Sequence, residues 1–309
     1  MRTAALPALD PAARERFREA GRIAARARAL AIERIQPGAR LESVMLEVED
    51  FIRAQGGGMA FPAQTSRNHI AAHYCPRPGD PTVYEREDVV KVDIGVHVDG
   101  YVADNAQSKY LGDDPRLHRM VEASAAGLRA AIAAAGPGVA IRDISAAIEQ
   151  AITALGFKPV WNLTGHGVGR WTVHCAPSIP AHPEPGQRDV LAPGMVIAIE
   201  PFATDGGGQV HETGRSEIFM IEREPRKMKD VDPAVWEAIR AMNGLPFARR
   251  SLGALPAPAV DATLARLTRI GCLMEFPPLA DPDARVRVAQ TEHTLLITED
   301  GAEVITADC

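Results

Sequence analysis

The sharpest chemical signal in the sequence is a pair of aspartates within KVDIGVHVDGYVADNA, residues 91–106. Asp99-Gly100, flanked by alternating residues, predicts a two-residue hairpin turn. Such a turn sets Val98 opposite Tyr101, Gly95 opposite Asp104 and Asp93 opposite Ala106. One face then carries Val92, Ile94, Val96, Val98, Tyr101 and Ala103. The other carries Asp93, Gly95, His97, Val102 and Asp104. The two aspartates become diagonal neighbours with backbones about 7–8 Å apart, and Gly95 leaves empty volume between them. Facing carboxylates within a sheet are costly unless a cation compensates. A solvent-facing sheet with hydrated acids is the other reading, and the aspartates alone do not decide.

Three further residues bear on the choice. Glu200 ends the buried-type run Met195–Ile199, where an unpaired charge is out of place. Glu292 lies inside the strand pattern RVAQTEHTLLI, and His166 sits between Gly165 and Gly167 in what reads as a turn that lets a ligand approach. If all five converge, four carboxylates bring a charge that two divalent cations would offset, with His166 as a neutral ligand. Hard oxygens plus one imidazole suit Mn, Fe, Co or Zn better than a thiolate-type site would. Two such ions about 3.5–4 Å apart could activate a water for hydrolysis.

The elements that must position these residues recur at an offset of about 100 residues. Pro37-Gly38 returns as Pro137-Gly138. Leu41, Val44, Val48, Ile52 and Gly56 return as Ile141, Ile144, Ile148, Ile152 and Gly156. The steps of three and four predict an amphipathic helix in each copy, ending at a glycine. Asp10-Pro11 and Asp114-Pro115 each open a preceding helix, with aspartate as cap and proline in the first turn. The β-branched runs VVKVDIGVHV and MVIAIEPF follow. The pattern is helix–helix–strands, twice, which would place a site at the seam; chance similarity among Ala/Ile/Val-rich helices is the alternative. The Gly56–Gly58 and Gly206–Gly208 runs read as turns or close-packed loops. Residues 232–278 break the pattern, with a helix opened by Asp232-Pro233, another around Ala259 to Ile270, and proline-rich connections. A structural insert suits its mixed charge better than a DNA-reading module.

The chain has 309 residues, 46% hydrophobic and 24% charged, with a formal net charge of −6. That composition fits a globular protein and excludes collagenous, disordered and disulfide-scaffold classes. No apolar run is long enough to span a membrane, and the N-terminal MRTAALPALDPAARERF has no signal-type apolar stretch. Cys75, Cys175, Cys272 and Cys309 show no close pair, so a reducing cytoplasm is expected. The acidic balance argues against general affinity for nucleic acid.

On these residues the chain resembles the type II methionine aminopeptidases, metallopeptidases of the pita-bread fold. The likeness runs nearly end to end and rests on FPAQTSRNHIAAHY, KVDIGVHVDGYVADNA, GHGVGRWTVH, IEPFATDGGGQV and AQTEHTLLI together. It implies an α+β fold of duplicated helix–helix–strand halves around a curved, mainly antiparallel sheet. Residues 1–309 would form a single catalytic domain, with 232–278 matching the helical insert that separates type II from type I enzymes. The resemblance further implies two metal ions (Co, Mn, Fe or Zn) on Asp93, Asp104, His166, Glu200 and Glu292. His73 would contact the scissile amide, His174 would stabilise the oxyanion, and Glu200 would shuttle the water proton. Phe61 and Phe202 would line the methionine pocket, where sulfur–aromatic contacts suit the thioether. Taken alone, His174 is an ordinary strand histidine, and the two phenylalanines pack a core as readily as a pocket. His97, His211 and His293 would either support the ligands from behind or be structural, and His97, on the aspartate face, best fits the supporting role. The implied activity is removal of the initiator methionine before a small second residue, by attack of a metal-bridging hydroxide. The partners implied are nascent or finished polypeptides with a free N-terminal methionine, met in the cytoplasm near the ribosome by a monomer, with neither DNA nor membrane. The chain would begin almost at once with the catalytic domain, without the N-terminal extension or extra domain of some relatives. The alternatives are an X-Pro peptidase of the same fold and a non-catalytic relative that binds protein or RNA.

Overall fold

Asp10, Asp114 and Asp232 each start a helix as their Asp-Pro sequences require. The Asp10 and Asp232 side chains accept from backbone amides three residues ahead, and Asp114 from Arg116 at 2.8 Å. The computed structural model describes residues 9–307; the first eight residues of the N-terminal stretch read above, and Cys309, lie outside the described residues. Helices α1 (Pro11–Arg34) and α2 (Leu41–Ala54) form the first pair; α3 (Pro115–Ala134) and α4 (Ile141–Ala154) form the second. The repeat read from the sequence is therefore structural: α2 and α4 have equal length and start after the Pro-Gly turns. Their apolar stripes face separate cores. One joins α1 and α2 to Val92, Ile94, Val96 and Val102, and the other joins α3 and α4 to Ile197, Ile199, Ala289 and Leu295.

The hairpin Val89–Val98/Tyr101–Tyr110 pairs in the expected register, with Val98 opposite Tyr101, Gly95 opposite Asp104 and Asp93 opposite Ala106. Asp99 and Gly100 both take positive φ, as a tight hairpin turn needs. In the second half an antiparallel sheet runs Ala302–Val304, His293–Ile297, Val196–Ile199, Thr164–Gly169, Thr172–Pro180. The two halves meet where Ala106 and Glu292 exchange backbone hydrogen bonds of 2.9 and 3.3 Å. Thr294 Oγ1 adds a second stitch, accepting from Asp104 N and donating to Asp104 O, both at 2.7 Å.

Between residues 232 and 278 lie α5 (Pro233–Arg240) and α6 (Ala257–Arg269), but the segment is not only helical. Phe247–Ala248 and Leu273–Glu275 flank Ile218–Ile221 in a small antiparallel sheet, over a core of its own that includes Trp236, Phe247 and Leu264. Two-residue and three-residue strands carry too little alternation to be read from sequence. Among the described residues, no helix is long and apolar enough to cross a membrane.

Candidate active site

Each of the five acidic and imidazole residues reaches the seam from a different stretch of chain. Asp93 and Asp104 come from the long hairpin, and Glu200 follows the strand Val196–Ile199 directly. Glu292 does not sit inside a continuous strand: Val288–Gln290 pairs with Phe202–Thr204, whereas His293–Ile297 pairs with Val196–Ile199. The chain changes sheets at Thr291 and Glu292, and that break aims the carboxylate inward. His166 also departs from expectation, since it lies in the strand Thr164–Gly169 and not in a turn. Its flanking glycines serve close packing. A Cβ at Gly165 would stand 2.4 Å from Ala198 O, and one at Gly167 would stand 2.4 Å from Ala176 O. Gly165→Ala is therefore expected to destabilise the fold by about 1–3 kcal/mol, as overpacking does. A lower urea midpoint at unchanged slope is the readout.

Asp104, His166 and Glu292 offer ligand atoms that all lie within 4.8 Å of one another. His166 Nε2 stands 3.6 Å from Glu200 and 3.9 Å from Asp104. Asp104, His166 and Glu292 are buried, and Asp93 and Glu200 are partly covered. One carboxylate oxygen each of Asp93, Asp104 and Glu292 is buried without any hydrogen-bond partner. Such oxygens normally find a donor, so three orphans lining one cavity with His166 are the donor set of a site for hard or borderline divalent cations. Hydrated surface acids, the bland alternative, do not fit this burial.

The electrostatics point the same way. Burial pushes the Asp93 carboxyl up to about 7. Burial, reinforced by the neighbouring carboxylates, also drives Asp104, Glu200 and Glu292 well above the usual range. Gln290 relieves part of this by donating to Glu200 at 3.4 Å, and Arg28 draws Glu292 back down. Burial, and the repulsion a protonated His174 would add, hold His166 down to about 3, so its imidazole is neutral. Without cations, the folded chain keeps protons that the unfolded chain releases, so stability falls as pH rises from about 4 to about 7. The metal-free protein should melt lower at pH 8 than at pH 5, and added Mn²⁺ should raise the melting temperature more at pH 8. Equal shifts at the two pH values would contradict this picture of the site.

The cluster forms part of the wall of a cavity of about 260 Å³. Phe61, Phe202, Ile218, Phe276 and Leu279 supply apolar wall, and Gln64, His73 and His174 supply polar groups. The volume over Gly95 is not empty. The Phe61 ring fills it, and a Cβ there would meet Phe61 Cε1 at 2.3 Å. His174 projects from the strand Thr172–Pro180, exposed, with its ring edge-on to His166 at 4.3 Å. The surrounding protein holds its pKa below the usual imidazole value. His73 adopts a positive φ of 65°, a strained conformation for a non-glycine residue and frequent at functional sites. Its amide donates to Gln64 Oε1 at 2.9 Å, its ring stands edge-on to Phe276, and its Nδ1 is buried without a partner. Burial, then the repulsion a protonated His174 would add, lowers its pKa to about 4.

His97 stays out of this site. It packs against Trp171 with ring centroids 4.8 Å apart and accepts from Gly100 N at the hairpin turn. His293 bonds Thr306 Oγ1 at 2.9 Å, and His211 is exposed in a two-residue strand. Sequence reasoning missed Gln64, Gln290, Thr294, Pro246 and Phe276. The last two come from residues 232–278, so that segment builds part of the cavity.

Two helix-pair-and-strand halves closing on a buried carboxylate–imidazole cluster define the chain as a metallopeptidase of the pita-bread fold. It belongs to metallopeptidase family M24, whose model matches residues 15–299. It is similar to the methionine aminopeptidase of Thermococcus onnurineus, 42% identical over 298 residues that cover 95% of this chain and 99% of that one. The methionine aminopeptidase 2 of Neurospora crassa is 32% identical over 317 residues, covering 94% of this chain and 71% of that protein. Among solved structures, the methionine aminopeptidase of Thermotoga maritima superposes with a TM-score of 0.73 at 25% identity, over 97% of this chain and 99% of that one. Family membership implies divalent metal as the cofactor.

Proposed function

We infer that this chain is a metal-dependent aminopeptidase that removes an N-terminal methionine from polypeptides with a small second residue. The observation that carries the reading is the cavity itself, in which the acidic cluster stands beside an aromatic-walled space for one side chain. Aromatic walls suit a polarisable, unbranched thioether. The acidic wall draws a free α-ammonium group, which favours cleavage after the first residue.

Asp93, Asp104, His166, Glu200 and Glu292 would hold two divalent ions drawn from Co, Mn, Fe and Zn. Those ions, when bound, polarise the scissile carbonyl and make a water nucleophilic near neutral pH. Glu200, which lines the cavity beside His166, takes the proton of the attacking water and passes it to the leaving amine. His174 donates a hydrogen bond to the carbonyl oxygen as negative charge develops there. His73, kept neutral and oriented through its backbone by Gln64, contacts the scissile amide. Phe61 and Phe202 flank the methionine side chain. The partner is a polypeptide with an accessible amino terminus, nascent or finished.

The test is methionine release from Met-Gly-Met by protein loaded with Mn²⁺ or Co²⁺, beside an Ala-Pro peptide. Release from the first peptide alone, lost on chelation, is expected. Preference for Ala-Pro, or no cleavage of either by loaded protein, would overturn the reading.

A further inference from the structure

Arg250 lies in the insert and its side chain is 4% exposed, yet every hydrogen bond its guanidinium makes reaches outside the insert. Its Nε and one terminal nitrogen donate to Glu49 Oε1 of α2 at 3.1 and 2.6 Å. The same terminal nitrogen donates to Ala63 O at 2.6 Å. The other donates to Cys75 Sγ at 2.7 Å and to Pro76 O at 3.0 Å. Glu49 Oε1 in turn accepts from Ala63 N at 3.2 Å, closing the network. A planar fork that meets several acceptors at fixed angles is something arginine provides and lysine does not.

The partners matter because of their neighbours in the chain. Ala63 follows Phe61 by two residues, Cys75 follows His73 by two, and Arg250 follows Pro246 by four. Phe61, His73 and Pro246 are walls of the cavity supplied by three separate segments. We propose that Arg250 is a positioning residue for side-chain selection, clamping those three segments so that the cavity keeps the width of an unbranched side chain. The inference rests on the aminopeptidase reading and adds to it a determinant outside the cavity. A wall misplaced by a fraction of an ångström admits shapes that the intact pocket rejects, and holds the preferred one less well.

The experiment compares Arg250→Lys and Cys75→Ala with the unmodified enzyme, fully metal-loaded, on Met-Gly-Met and Leu-Gly-Met. Melting curves are recorded for each protein. Arg250→Lys keeps the charge opposite Glu49 but cannot reach all the acceptors. It should raise KM for the methionyl peptide more than it lowers kcat. The methionine-over-leucine ratio in kcat/KM should fall about 10-fold, the scale on which pockets discriminate small shape differences. Cys75→Ala removes a single acceptor and should shift the ratio in the same direction by less. A role in stability alone would lower activity on both peptides by one common factor and leave KM and the ratio in place; that result in both variants overturns the proposal. If Arg250→Lys does not fold, Cys75→Ala decides alone. An unmodified enzyme that releases no methionine from Met-Gly-Met would refute the underlying reading, and this inference with it.

Discussion

Asp104→Asn should leave a folded protein with turnover reduced on the order of 10³-fold or more, as when one member of a jointly acting set is lost. The fold has little reason to suffer. The stitch at this position runs through the Asp104 backbone to Thr294 Oγ1, and an amide side chain leaves it intact. What the substitution removes is a buried carboxylate on which Asp93 and Glu200 already press. The metal-free variant should therefore melt no lower than the metal-free parent, and should gain less stability when Mn²⁺ is added. His166→Ala should match it in activity, but removes a buried ring packed against His174 and should cost stability as well. Full turnover in Asp104→Asn, measured on Met-Gly-Met with metal in excess, would remove the basis for reading these side chains as a metal site.

The parts of this protein that could be read in advance are those governed by local rules. Asp-Pro fixes where three helices begin, and a two-residue Asp-Gly turn fixes the register of ten residue pairs, which puts Asp93 and Asp104 on one face. The errors lie where long-range packing overrides local pattern. Glycines around His166 suggest a turn, yet here they let three strands pack closely enough that a methyl group would strike backbone. Gly95 reads as a gap between carboxylates, but an aromatic ring from residue 61 fills the space. The alternation around Glu292 continues through a position where the chain leaves one sheet for another, and no local pattern marks that step. Gln290, Thr294, Phe276 and Arg250 carry no recognisable spacing at all. Their roles come from contacts with residues 90 to 201 positions away, or across the cavity.

The contribution of His174 is separable from that of the acidic cluster, and its size can be stated. It lines the cavity, stands edge-on to His166, and has its pKa lowered by burial, which favours the neutral ring that still carries one N–H to donate. A donor aimed at developing negative charge strengthens its bond as the reaction proceeds, and its loss appears in kcat and not in ground-state binding. His174→Ala should lower kcat about 10²- to 10³-fold, the range found when one such donor is removed, with KM changed by much less. His174→Gln retains an N–H on a side chain of similar reach and should recover part of that loss. The metal site offers an internal control, because His174 is not among the residues proposed to hold the ions. Metal content and the Mn²⁺-dependent rise in melting temperature should stay at the parent level in both variants. A loss confined to KM would assign His174 to substrate binding, and a loss of bound metal would move it into the ligand set; either result rejects the oxyanion role.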